Sequence, residues 1–172
     1  MKILLSPHFD DESLFAAYLC LRERPLVLFC FDGAPRHGTF EVRWQEAQDA
    51  TQILGCASLA LRESYDTLAD TLAEFTPEHV WAPLPEEDGN TDHNFVGEVA
   101  ERLWGDRVSY FSTYTDSGRS TAGWPVPAVP EWVELKRKAL ACYQSQLALP
   151  SIRPHFEGGL DEYEIAPAVV ST

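Results

Sequence analysis

The sequence predicts an α/β fold, a Rossmann-like three-layer sandwich on a mostly parallel sheet. Three observations carry this expectation. Strand-like and helix-like segments alternate from residue 2 to about 115. The strand candidates are short, nearly continuous apolar runs, as strands covered on both faces must be. No internal repeat or low-complexity run competes with that order.

The elements follow in sequence. KILLS (2–6) is the first strand, and DESLFAAYLCLRE (11–23) then repeats apolar positions at three and four, as a helix does. LVLFCF (26–31) is the second strand. FEVRWQEAQDATQILG (40–55) is a helix whose last residue, Gly55, suits a C-terminal stop. SLALRE (58–63), DTLADTLAEF (66–75), HVWAPL (79–84), NFVGEVAERLW (94–104) and VSYFSTYT (108–115) continue the alternation of strand and helix. Beyond that, DSGRSTAGWPVPAVPEW is too rich in Gly, Ser and Pro for a helix; it reads as a loop bordering the site, extended near WPVPAV. A last long helix, EWVELKRKALACYQSQL (131–147), carries Lys136, Arg137 and Lys138, and the tail around HFEGGLDEYEIA fits no regular pattern.

Composition bounds the function. The chain has 172 residues, 45% of them hydrophobic, which suits one domain spanning 1–172. A formal charge of -14 and a pI near 4.6 repel polyanions, so nucleic acid and anionic membranes are excluded as partners. No apolar run approaches the ~20 residues of a membrane span. The N-terminus reaches acidic residues too soon for a signal peptide, so a cytoplasmic protein is expected. Cys20, Cys30, Cys56 and Cys142 lack CxxC spacing and read as reduced thiols.

The chemistry concentrates where the first strand turns into the first helix, in SPHFDDESL (6–14). Carboxylates at a helix N-terminus complement its dipole, and one Asp can cap it; that accounts for one of Asp10, Asp11 and Glu12 and leaves His8 and the rest unexplained. Parallel sheets hold their ligands beyond the carboxyl ends of the strands, where this cluster lies. A second polar turn, PLPEEDGNTDHNFVG (83–97), brings Asp88, Asn90, Asp92 and His93 to the same edge. His8, Asp11 and His93 would form a two-His, one-carboxylate set with open positions, the makeup of a catalytic zinc site, although iron or another divalent metal suits the same donors. Asp10, pointing away from its neighbour, would take the proton of a metal-bound water, and Glu12 would stay structural. His79 opens its strand and belongs to the opposite end. His37, after the second strand, is a spare candidate at the right edge, and His155 in the tail has no place fixed by sequence.

These residues resemble the LmbE-like, or PIG-L, family of zinc-dependent N-acetylglucosaminyl de-N-acetylases, nearly end to end. PHFDDE stands where the family has His-Pro-Asp-Asp-Glu. VLFCFDGAPRHG is similar to its second strand and Gly-containing loop, RWQEAQDATQILG to its Arg-x-x-Glu-Ala helix, and KRKALACYQSQ to its late Lys-x-x-Ala-Leu to Ser-Gln pattern. The resemblance implies zinc on His8, Asp11 and His93, Asp10 as general base, Arg43 as a substrate contact, and an N-acetylated amino sugar or glycoconjugate as substrate. It also leaves a homo-oligomer open. Without the motif, Arg43 would read as a solvated helix-surface arginine.

Two departures stand out. Phe9 replaces the motif's proline. Asn90 occupies the first position of what is His-Pro-Asp-His in many members, where the histidine helps the oxyanion or protonates the leaving amine. An asparagine amide can hydrogen-bond an oxyanion but cannot deliver a proton, so acid catalysis needs another donor, and Asp10 could serve as base and then acid. The expected function is a metal-dependent N-deacetylase acting on a linear amide, with Asp10 and Asn90 as catalytic groups. The alternative is a catalytically impaired metal- or sugar-binding protein on the same fold. A nucleotide-binding domain is disfavoured, since no GxGxxG follows the first strand.

Overall fold

The computed structural model describes residues 1–32 and 38–166. His37 therefore lies outside the described residues. Five parallel strands, β1 (Lys2–Ser6), β2 (Leu26–Phe29), β3 (Ser58–Ala60), β4 (His79–Pro83) and β5 (Val108–Phe111), line up in the order β3-β2-β1-β4-β5. This is the mostly parallel α/β sheet that the alternation predicts. Two antiparallel strands extend it past β5: β9 (Tyr163–Ile165) and, at the edge, β8 (Trp124–Pro125). The extended WPVPAV segment is β8, and the tail that gave no pattern supplies its partner. Tyr114–Thr115, expected to prolong β5, instead forms the strand β6 of a small separate hairpin with β7 (Gly118–Arg119).

Successive strand residues face opposite layers, and the two cores show it. Leu4, Val27, Phe29 and Trp81 pack with Leu14, Leu19, Ala47, Leu140 and Tyr143 on one side. Ile3, Leu5, Leu28, Val80 and Ala82 pack with Leu72, Val96, Val99 and Trp104 on the other. Helices α3 (Phe40–Ile53) and α6 (Pro130–Leu140) cover the first face, and α4 (Leu68–Ala73) and α5 (Thr91–Trp104) the second. Gly55 lies at φ +74, as a left-handed residue after α3 should. The four cysteines are free thiols. Among the described residues no helix is long and apolar enough to cross a membrane.

The helix expected over 11–23 is two helices, α1 (Asp11–Phe15) and α2 (Ala17–Glu23), broken at Ala16 with φ -137. The break frees backbone groups, and a buried ion pair takes them up. Lys136 Nζ donates to the Leu14 carbonyl at 2.9 Å and to Glu162 Oε1 at 2.7 Å, while Tyr18 N donates to Glu162 Oε2 at 2.9 Å. Arg119 also donates to the Leu14 carbonyl. Lys136, the first of three basic residues in a row, is fully buried. The helix expected over 131–147 ends at Leu140; α7 (Gln144–Leu147) and α8 (Arg153–Glu157) follow as short separate helices.

Candidate metal centre and its cavity

The order of the parallel strands reverses between β1 and β4, which is where such sheets open a crevice at their carboxyl ends. His8 follows β1, and His93 lies in the first turn of α5 after β4. The two rings meet with centroids 5.3 Å apart. Asp11 Oδ2 lies between them, 3.2 Å from His8 Nδ1 and 3.2 Å from His93 Nε2. Donors about 2.0–2.1 Å from a tetrahedral ion are themselves roughly 3.3 Å apart, so this spacing fits a metal. His8, Asp11 and His93 form a group that could hold one, their donor atoms all within 4.8 Å of one another.

Each imidazole is fixed from behind, as metal-ligating histidines usually are. His8 Nε2 bonds Asp92 Oδ2 at 2.7 Å, and His93 Nδ1 bonds the Thr113 hydroxyl at 2.8 Å. Asp92 holds His8 and also accepts from the Tyr65 hydroxyl. Adjacent helix residues point about a quarter-turn or more apart, so Asp92 and His93 face different neighbours. Thr113, two residues past β5, sits at the carboxyl edge where a donor would be sought.

Asp10 adopts φ 136, rare for a residue with a side chain. The peptide on either side of it is held: Asp10 N donates to Glu12 Oε2 at 3.2 Å, and the Asp10 carbonyl accepts from Ser13 N and Leu14 N. This conformation separates the two aspartates, Asp11 toward the imidazoles and Asp10 toward Arg43. Strain of this kind collects at functional sites. Glu12 is buried and structural, accepting from Ser13 Oγ at 2.6 Å and from the Tyr143 and Asp10 groups.

Arg43 is 3% exposed, which rules out the solvated-surface role a helix arginine usually has. Its Nη2 donates to Asp10 Oδ2 at 3.0 Å and to the Phe9 carbonyl. Its Nε is buried without a partner among the described residues. Phe9, in the proline's place, packs fully buried against Phe29, Phe40 and Trp44 and so anchors the turn from below.

Burial pushes the Asp10 carboxyl well above the usual range, the Asp11 charge adds to it, and Arg43 opposes. Asp11 is held well below its usual range: burial works against ionisation, but the His93 and His8 rings beside it outweigh that. For His8, burial lowers the pKa, and hydrogen bonds to Asp11 and Asp92 reverse this and raise it to about 10.

The site opens into a cavity of about 270 Å³ whose wall includes Asp10, Arg43, Asn90, Tyr114 and His155. Asn90 caps α5: its Oδ1 accepts from Asp92 N at 2.9 Å and His93 N at 3.3 Å, which leaves its NH₂ for the cavity. Residues 116–132, expected to border the site, contribute nothing to this wall; Ile152, His155 and Phe156 around α8 do. His79 hydrogen-bonds Ser109 at the far end of the sheet, as expected.

The family model described as PIG-L, GlcNAc-PI de-N-acetylase, matches residues 3–104. No curated protein matches the sequence. Among solved structures, a deacetylase triple mutant of the teicoplanin biosynthetic pathway superposes with a TM-score of 0.75 at 18% identity, over 95% of this chain and 96% of that one. The N,N'-diacetylchitobiose deacetylase of Pyrococcus horikoshii gives 0.66 at 17%, over 91% and 74%. The 4-carboxy-2-hydroxymuconate hydratase of Pseudomonas putida gives 0.61 at 16%, over 91% and 83%. These likenesses establish the fold, and the hydratase is a reminder that one fold carries several chemistries.

Proposed function

We propose, from the premise that the chain belongs to the PIG-L family of de-N-acetylases, that it is a zinc-dependent hydrolase removing an N-acetyl or related N-acyl group from an amino-sugar derivative. One observation carries this: Asp10 is turned aside from a His8–Asp11–His93 donor set and faces the same cavity. The free thiols support a cytoplasmic setting, and residues 1–172 would work as one domain.

A zinc ion held by His8 Nδ1, Asp11 and His93 Nε2 would supply Lewis acidity toward a carbonyl oxygen and lower the pKa of a water. Asp10 accepts the proton of the attacking water; its Oδ2 is engaged by Arg43, so Oδ1 is the receiving atom. Burial raises the Asp10 pKa and so makes its carboxylate a stronger base than a free one. Asn90 Nδ2 stands to hydrogen-bond the developing oxyanion. Arg43, on the cavity wall, would meet a polar or anionic part of the substrate.

The capping role of Asn90 favours a second reading, a metal- or sugar-binding protein in which this position serves α5 alone. Metal content and amine release decide between them. The proposed enzyme binds about one zinc per chain, loses it in His93→Ala, and releases amine from at least one of a panel of N-acetylated amino sugars. Asp10→Asn should keep the metal and lose about 100-fold to 10,000-fold in kcat. Zinc without turnover on the whole panel would leave the binding protein standing.

A further inference from the structure

We propose that His155, on α8, donates the proton to the departing amine and so fills the role that Asn90 cannot. This rests on the deacetylase reading above.

An alkylamine leaves a tetrahedral adduct only when its nitrogen is protonated, and an amide side chain has no proton to give. The other imidazoles on the cavity wall are committed. His8 faces Asp11 and Asp92 through its two nitrogens, and His93 faces Asp11 and Thr113. Asp10 is bound to Arg43 and assigned to the water. His155 is the remaining imidazole of the wall among the described residues.

Its place is set by Tyr114. The His155 ring packs edge-on against the Tyr114 ring, centroids 4.5 Å apart and planes at 64°. The Tyr114 carbonyl accepts from Asn90 N at 3.4 Å, so one residue carries the histidine and touches the position where the family's proton donor stands. The Tyr114 ring also meets Phe15 edge-on at 4.7 Å, and Phe15 meets His93 at 6.2 Å, which ties this wall to the metal ligands. The Tyr114 hydroxyl is buried with no partner among the described residues. His155 is exposed on its outer side, where solvent can return a proton, while neighbouring Phe156 is buried in the core.

The step balances. Water oxygen bonds to the acyl carbon and its proton goes to Asp10. The C–N bond then breaks as a ring N–H of the His155 imidazolium passes its proton to nitrogen, releasing carboxylic acid and amine. Solvent reprotonates His155 and takes the proton from Asp10.

The test compares kcat of zinc-loaded protein on the N-acetylated amino sugar of the panel above that wild type turns over and on 4-nitroacetanilide, whose weakly basic 4-nitroaniline needs far less help from a proton donor to depart. His155→Gln should lose 100-fold or more on the sugar, in the range of one general acid, and stay within about threefold on the anilide. Adding Asn90→His to His155→Gln should restore at least about tenfold on the sugar. Equal losses on both substrates would reduce His155 to shaping the cavity, and no loss would return the acid role to Asp10; either overturns the proposal alone. No turnover of any sugar in the panel by wild type overturns the deacetylase reading, and the assignment of His155 falls with it.

Discussion

At the scale of single residues, Asn90 does two things that pull against each other. Its Oδ1 caps α5 through Asp92 N and His93 N, and its position is one where a proton donor would speed the reaction. In a His155→Gln background, Asn90→His should therefore raise kcat on an N-acetylated amino sugar about tenfold or more, while removing a cap worth about 0.5–2 kcal/mol of stability. Amine release and urea unfolding measure the two effects separately. His79 offers a control far from the cavity. Burial holds its pKa below the ordinary 6.5, so the folded chain takes up a proton there less readily than the unfolded chain. The stability it contributes is present above that value and is lost as pH falls toward the folded-state pKa. His79→Gln should flatten the decline of the urea midpoint between about pH 7 and pH 5, and an unchanged slope would remove His79 from the account.

At the scale of elements, the break between α1 and α2 organises the motif turn. A continuous helix would use the Leu14 carbonyl and the Tyr18 amide internally; here Lys136 of α6 and Glu162 before β9 receive them. Removing one charge of a buried pair strands the other, at about 3–5 kcal/mol, so Lys136→Met should fall in that range by chemical denaturation. Lys136→Met with Glu162→Gln should recover most of the loss, because the glutamine still accepts from Tyr18 N and no charge remains unpaired. This dependence was hidden in the sequence: KRK reads as a polar helix face, and only the packing of α6 against α1 and α2 turns its first residue inward.

At the scale of the whole molecule, two turns 80 residues apart become one site because β1 and β4 are neighbours at the reversal of strand order. Neither turn can hold the metal alone, so binding should stabilise the assembled fold and not the unfolded chain. Zinc at about 100 times Kd should add about 2.7 kcal/mol to unfolding, seen as a raised Tm, and His93→Ala should abolish the shift. A mutant that still responds would place the ion elsewhere.

The sequence by itself determined the parallel sheet, the two polar turns at its carboxyl edge, and the residues His8, Asp10, Asp11, Asn90 and His93 that meet there, while Arg43 came only with the family resemblance. Strand periodicity and turn chemistry are local, and the edge at which a turn emerges follows from chain direction alone. The partners were decided only by tertiary structure: Asp92 on His8, Thr113 on His93, Glu162 on Lys136, and His155 on the cavity wall. Those pairings depend on side-chain direction and on how short helices such as α8 come to rest against a distant face. A single row of letters carries no period for that, since the contacts join residues from 20 to more than 80 positions apart.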